Sequence, residues 1–194
     1  MQPQKTLWFA VIALSLVSAA LQLLGLSELL AFKRSDIAHG EWWRLISGNV
    51  LHTNWWHVAM NLAGMWVVVF IHRMHYHAIG FLCLMLALCL FEGTGLYLAV
   101  PSLWGYVGLS GILHGLFAFG SLCDIQKHLR SGYLLLAGVI AKVTWEQYAG
   151  GNPEVTSLIG APVATQAHLI GLLSGLLLWG LYWGWCRTRQ TTET

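Results

Sequence analysis

The sequence predicts an all-α polytopic membrane protein with six transmembrane helices. Of its 194 residues, 57% are hydrophobic and only 9% are charged, whereas an ordinary soluble domain has about 25% charged residues. The first apolar segment, residues 7–26, has about the 20 residues that cross a ~30 Å hydrocarbon core as a helix. A cleaved signal peptide is the alternative for this segment, but signal h-regions span only ~7–15 residues. We therefore expect one membrane domain over residues 1–194.

Further apolar segments follow the first along the chain. The six expected spans are residues 7–26, 54–71, 78–100, 110–123, 132–149 and 164–186. An even number of spans places both termini on one side, and the positive residues near the span ends favour the cytoplasmic side. The inside segments would then carry Lys5, Arg73, Lys127, Arg130, Arg187 and Arg189, and the outside segments only Lys33, Arg34 and Arg44. The net charge of +2, without a basic run, does not indicate a nucleic-acid partner.

The fourth span begins in an unusual way. Pro101, Gly105 and Gly108 interrupt any continuous helix from the third span. Ser110 then starts the fourth span between two glycines, in the sequence GLSG. Irregular backbone at membrane depth is tolerated only where protein buries it or where it lines a water-filled cavity. Such a cavity would supply Ser110 with water.

A serine nucleophile needs a base, usually an imidazole that accepts its proton. Five of the nine histidines lie in loops at the wrong depth or on the wrong side, namely His39, His72, His75, His77 and His128. No carboxylate or cysteine accompanies the three histidines of IHRMHYH, so we expect no metal site there. His114 lies one turn from Ser110 on the same helix, where it approaches the hydroxyl poorly. His52, His57 and His168 remain as candidates.

His168 opens the sixth span, where a lone histidine is costly unless it faces a partner or water. The fourth and sixth spans each contain a GxxxG step that lets helices approach closely, at Gly111 and Gly115 and at Gly171 and Gly175. Packing of these two faces would bring Ser110 and His168 to a similar depth. Spacing alone leaves a catalytic role and a packing role equally open.

The second span carries two hydrogen-bond donors on one face. His57 and Asn61 are four residues apart, and His52 lies in the entry to this helix. Two donors on one face suit a developing oxyanion. The alternative is a polar clamp between helices, often worth only ~0.6 kcal/mol per contact.

Four motifs together resemble the rhomboid family of intramembrane serine proteases. They are WWR at 42–44, HTNWWHVAMN at 52–61, GLSG at 108–111 and AHLIGLLSG at 167–175, in the family's order. The resemblance implies a six-helix rhomboid-like bundle with Ser110 as nucleophile and His168 as general base and acid, in a dyad without an aspartate. It implies that His57, Asn61 and the Ser110 backbone N–H stabilise the oxyanion.

The same resemblance implies roles for further residues. Gly108 and Gly111 would frame the serine, Arg44 would brace the first loop, and His52 would be a supporting polar residue. No metal or other cofactor is implied.

The chain is also similar to a small bacterial branch of the family called rhombosortase. YVGLSGILHGLF at 106–117, AKVTWEQ at 141–147 and the short length carry this similarity. It implies a bacterial inner-membrane protease whose active site opens to the periplasm. Its partners would be the lipid bilayer and exported proteins that carry the GlyGly-CTERM sorting signal, a C-terminal Gly-Gly, transmembrane helix and basic tail. An amine could replace water as the final acceptor, which would make the enzyme a transpeptidase.

Lys142 and Glu146 lie four residues apart in the fifth span. Each alone near the bilayer centre costs ~2.5–3.5 kcal/mol. They could form a polar notch that binds the substrate's Gly-Gly segment or an amine, or a structural ion pair near the outer interface.

Two other functions are considered for the whole chain. A catalytically inactive rhomboid-like protein that binds transmembrane helices would be expected to lack Ser110 or His168, and both are present. A metal or haem carrier would need histidines that face each other across helices, as His57 and His168 could.

Overall fold

The structure, a computed structural model, describes residues 3–192 and consists of long helices joined by short elements. The elements are α1 (Pro3–Leu24), α2 (Ser27–Leu30), β1 (Phe32–Lys33), α3 (Arg34–Ala38), α4 (Arg44–Ser47), α5 (Trp55–His72), α6 (Ala78–Ala99), β2 (Gly105–Tyr106), α7 (Ser110–Gln126), α8 (Arg130–Ala149), α9 (Pro153–Ile159) and α10 (Thr165–Thr192). Single 3₁₀ turns follow α4 and α5.

The six long helices correspond in order to the six predicted spans. Within residues 3–192, four helical segments are long and apolar enough to cross a membrane: Gln4–Leu24, Trp55–His75, Ala78–Ala99 and Thr165–Arg189. Helix α7 has only 17 residues, and α8 carries Arg130, Lys142 and Glu146 within its 20 residues. The all-α membrane class is therefore supported, while the count of six spans stays a prediction.

Helix α7 lies at the centre of the bundle and packs against α5, α6, α8 and α10. Most of its residues are buried, so that protein surrounds most of this short helix. The predicted glycine contact with α10 is confirmed. A Cβ on Gly171 would overlap the carbonyl oxygen of Gly111, and one on Gly175 would overlap that of Gly115.

The segment between α1 and α5 is held against the end of α6. The Arg34 guanidinium donates hydrogen bonds to the carbonyls of Leu96, Tyr97, Val100 and Leu103 at 2.8–3.0 Å. These carbonyls lie at or just beyond the last turn of α6, where backbone carbonyls have no hydrogen-bond partner within the helix.

Strand β1 pairs antiparallel with β2, with Phe32 opposite Tyr106. This pairing fixes the chain four residues before Ser110.

The end of the bundle formed by the last turns of α5 and α7 corrects one expectation. Two of the IHRMHYH histidines do have a carboxylate partner: Asp124 Oδ1 lies 2.5 Å from His75 Nε2, and Asp124 Oδ2 lies 3.6 Å from His72 Nε2. Asp124 lies on α7, 49 residues beyond His75, so no local motif marks it. The cluster ties the end of α5 to α7.

Candidate active site

Ser110 is the first residue of α7 and follows a fixed loop. Gly108 has φ +139°, which L side chains rarely adopt, and a Cβ there would lie 3.0 Å from Cε1 and Nε2 of His57. The Tyr106 hydroxyl donates to the Gly108 carbonyl at 2.5 Å, and the Gly108 N–H donates to Gly48 O at 3.2 Å. As the first helical residue, Ser110 has a backbone N–H that α7 cannot pair and that lies at the positive end of its dipole.

The Ser110 hydroxyl meets His168 across the α7–α10 contact. Its Oγ lies 2.9 Å from His168 Nε2, and His168 is only 4% exposed. The other ring nitrogen, Nδ1, lies 2.7 Å from Oε2 of Glu146 on α8. The resemblance implied a dyad without an aspartate; in the structure a glutamate contacts the second ring nitrogen.

Lys142 and His114 extend this cluster back to Ser110. Lys142 Nζ lies 2.9 Å from Glu146 Oε1 and 2.7 Å from His114 Nε2. His114 Nδ1 in turn lies 2.7 Å from the carbonyl oxygen of Ser110. The His114 ring also stacks on His168, with centroids 4.2 Å apart and planes at 25°. The five residues form a closed circuit that begins and ends on Ser110.

His57 and Asn61 place two side-chain nitrogens beside Gly108. The Thr53 backbone N–H lies 3.4 Å and the Thr53 hydroxyl oxygen 3.1 Å from His57 Nδ1, and the hydroxyl donates to Ile159 O at 2.7 Å. An unprotonated Nδ1 would accept from the Thr53 backbone N–H and leave the ring proton on Nε2. Asn61 Nδ2 is buried and has no hydrogen-bond partner among the described residues. It lies 3.7 Å from where a Cβ on Gly108 would be.

His52 packs edge-on against His57, with ring centroids 5.1 Å apart. Its side chain is buried, and its ring nitrogens have no partner within the part of the chain that the structure describes. Burial, with a smaller contribution from His57, lowers the pKa of His52 to about 3. The ring is therefore neutral and acts on His57 through packing.

Arg44 ties together the loop between α1 and α5. Its side chain is 4% exposed and donates to the Glu41 carboxylate at 2.6 Å and to Ala31 O at 2.8 Å. Asp36 Oδ2 lies 3.2 Å from the same guanidinium. Because a buried guanidinium needs several acceptors, this loop cannot easily move away from it.

A cavity of about 1010 Å³ opens beside Ser110. Ligand pockets span ≈ 300–1,000 Å³, so this cavity can take several residues of an extended peptide. Ser110, His57, Asn61 and His168 contribute to its wall. The remaining wall combines large side chains, such as Phe32, Met60 and Trp145, with small residues: Gly105, Ala149, Gly150, Gly151, Ala161 and Ala164.

A sequence model of the Rhomboid domain matches residues 39–185. The chain belongs to the rhomboid family. Members are generally intramembrane serine proteases, and the matched range contains every candidate residue described above.

Two relatives illustrate the similarity of this rhomboid to known proteins. It is 29% identical over 150 residues to "Putative rhomboid protease YdcA" of Bacillus subtilis (strain 168), covering 73% of this chain and 68% of the relative. It is 28% identical over 165 residues to Rhomboid protease GlpG of Yersinia enterocolitica, covering 84% of this chain and 56% of the relative. The chain thus spans little more than half the length of the second relative.

Sequence reasoning about this rhomboid missed two contacts of His168, with Glu146 and with His114. His114 approaches the Ser110 hydroxyl poorly, as expected from its place on the same helix, and its Nδ1 contacts the carbonyl of Ser110 instead. The available signal was the unpaired polarity of three residues, His114, Lys142 and Glu146, on neighbouring apolar spans.

His114, Glu146 and His168 also offer three ligand atoms within 4.8 Å of one another, a spacing that could suit a metal ion. The Lys142 ammonium, however, contacts both Glu146 and His114. A resident positive charge disfavours a second cation at this position.

Proposed function

We propose that this rhomboid is an intramembrane serine protease, with Ser110 as nucleophile and His168 as general base. The observation that carries the proposal is the 2.9 Å contact between Ser110 Oγ and His168 Nε2, which is within the distance needed for proton transfer. The Asn61 amide nitrogen beside the start of α7 adds a donor that has no partner among the described residues.

The reaction follows from these positions. Ser110 Oγ attacks the scissile carbonyl carbon while its proton moves to His168 Nε2. The oxyanion accepts hydrogen bonds from the Ser110 N–H, His57 Nε2–H and Asn61 Nδ2. His168 then gives the proton to the leaving amine, and an acyl-enzyme remains on Ser110. Water, activated by His168, releases the acid; an amine attacking the same ester would join two chains instead.

We propose that the substrates are exported proteins with a C-terminal Gly-Gly, transmembrane helix and basic tail, as the similarity to rhombosortase implies. A helix must unwind before its carbonyl can meet Ser110, and glycine is a poor helix former by ~1 kcal/mol. The small residues that line the cavity leave room for an unwound segment near Ser110. The proposed setting is the bacterial inner membrane, with both termini in the cytoplasm and the cavity on the periplasmic side.

The test is co-expression with a membrane reporter that carries such a tail. Wild-type protein should release a shortened reporter, and Ser110→Ala and His168→Ala should not. Ser121→Ala is the matched control, because Ser121 lies on the same helix and donates to the Phe117 carbonyl, away from His168. Mass spectrometry of the new C-terminus distinguishes hydrolysis from transfer to an amine.

Cleavage that persists in Ser110→Ala would contradict the proposal. A folded wild-type protein that co-purifies with the reporter and leaves it uncut would favour the inactive helix-binding alternative. A mutated Gly-Gly that is cut as rapidly as the original would remove the substrate assignment and leave the protease assignment intact.

A further inference from the structure

The two carboxylate oxygens of Glu146 contact different groups, an ammonium and an imidazole. Oε1 faces the Lys142 ammonium at 2.9 Å, and Oε2 faces His168 Nδ1 at 2.7 Å. The Glu146 side chain is 14% exposed, whereas that of Lys142 is 49% exposed. The carboxylate therefore faces the histidine from the more buried side of the pair, while water can reach the ammonium.

For a neutral His168 ring, the donors and acceptors around this circuit allow one consistent proton arrangement. A carboxylate accepts only, so His168 Nδ1 carries the ring proton and donates it to Glu146. His168 Nε2 is then unprotonated and accepts from the Ser110 hydroxyl. An ammonium donates only, so Lys142 donates to Glu146 Oε1 and to His114 Nε2. His114 Nδ1–H then donates to the Ser110 carbonyl.

We propose that Glu146 is a positioning residue that makes this rhomboid a Ser110–His168–Glu146 triad, with Lys142 orienting the carboxylate. Glu146 holds His168 in the tautomer whose Nε2 can accept the serine proton, and it stabilises the imidazolium that forms when that proton arrives. The stacked His114 ring limits rotation of His168. The inference rests on the proposed protease function and assigns Glu146 a role beyond that of an ion-pair partner.

Replacement of the acid by its amide separates this role from a structural one. In Glu146→Gln, Lys142 draws the amide oxygen toward itself, so the amide NH₂ faces His168 Nδ1. His168 must then place its proton on Nε2 and can no longer accept from Ser110. Glu146→Ala imposes no tautomer. A positioning role thus predicts that Ser110 reacts more slowly in Glu146→Gln than in Glu146→Ala. A role that only fills space predicts the reverse.

The experiment measures the rate of fluorophosphonate labelling of Ser110 in purified, detergent-solubilised protein. We expect Glu146→Gln to lose a factor on the order of 10⁴, as for the corresponding change in a serine-protease triad. Glu146→Ala should lose less, and Glu146→Asp should recover part of the rate. The double variant Lys142→Met, Glu146→Leu should remain slow. Glu154→Gln, an exposed carboxylate on α9, is the control and should react like wild type.

Nitrogen-15 NMR of histidine-labelled protein reads the tautomer without requiring activity. The signals of His168 are identified as those that disappear in His168→Ala. Its Nδ1 should be protonated in the wild type, and its Nε2 should be protonated in Glu146→Gln.

Several results would overturn the inference: Glu146→Gln reacting as fast as wild type, Gln reacting faster than Ala, or an unprotonated Nδ1 in the wild type. If the double variant were labelled at the wild-type rate, Glu146 would be only an ion-pair partner of Lys142. In each of these cases the wild-type protein itself still reacts with the probe, so the proposed function stands. A folded wild type that neither reacts with the probe nor cuts the reporter instead overturns the proposed function, and with it the triad.

Discussion

Asn61 has a buried amide nitrogen for which the described residues provide no acceptor. An unsatisfied buried donor costs about 1–3 kcal/mol, so its presence beside Ser110 needs a reason. Asn49 is the natural comparison, because its buried amide nitrogen lies 3.0 Å from Leu45 O and 3.3 Å from Cys89 O. The Asn49 amide nitrogen is satisfied by the fold, and the Asn61 amide nitrogen is left for a ligand atom.

Asn61→Ala should therefore lower the cleavage rate by ~10²–10³, the usual effect of removing one oxyanion donor. It should leave thermal stability in detergent unchanged, because the Asn61 amide nitrogen makes no hydrogen bond to the described residues that could be lost. Asn49→Ala should do the opposite and lower stability by about 1–3 kcal/mol. Reporter cleavage and thermal unfolding measure the two effects. Cleavage at the wild-type rate in Asn61→Ala would remove this residue from the oxyanion site.

Helices α7 and α10 meet through glycines, and this contact sets the distance between Ser110 and His168. A Cβ on Gly171 would overlap the backbone of α7, whereas a Cβ on Gly180 or Gly184 would have no neighbouring atom within 4 Å. Glycines of the same helix thus have different tasks. Only those in the first turns of α10 govern the approach to α7.

Gly171→Ala should push α10 away from α7 and reduce stability by about 1–3 kcal/mol, as overpacking does. Labelling of Ser110 should fall as well, because the contact between Oγ and Nε2 lengthens. Gly180→Ala serves as the control and should change neither quantity. Unfolding in detergent and probe labelling provide the readouts. Equal behaviour of the two variants would mean that the glycine contact does not position the site.

The molecule as a whole places its candidate site near one end and the Asp124 cluster near the other. Ser110 starts α7, while Asp124 lies in its last turn. The positive residues in the segments predicted to face the cytoplasm favour placing the Asp124 end on that side. The Ser110 end would then face the periplasm, where exported proteins pass.

Fusions should reveal this orientation in a bacterial host. Alkaline phosphatase fused after Asn152, between α8 and α9, should be active, since the enzyme works only outside the cytoplasm. The same reporter fused after Leu129, between α7 and α8, should be inactive. A fluorescent protein at the C-terminus should fluoresce. The reverse pattern would place the candidate site on the cytoplasmic side and exclude periplasmic substrates.

The sequence by itself determined the membrane class, the order of the long helices and the candidacy of Ser110, His168, His57 and Asn61. These features are local: hydrophobic runs, glycine steps and histidine spacing are written within single segments. Even the contact between α7 and α10 could be predicted, because small residues mark the faces that approach each other.

Only the tertiary structure decided which polar residues meet. Glu146 lies 22 residues from His168, and Lys142 lies 28 residues from His114. Helices that are apolar on all sides carry little periodic signal to show how each one is rotated about its axis. A local sequence pattern therefore left Lys142 and Glu146 as an isolated pair, whereas helix packing placed the carboxylate on His168.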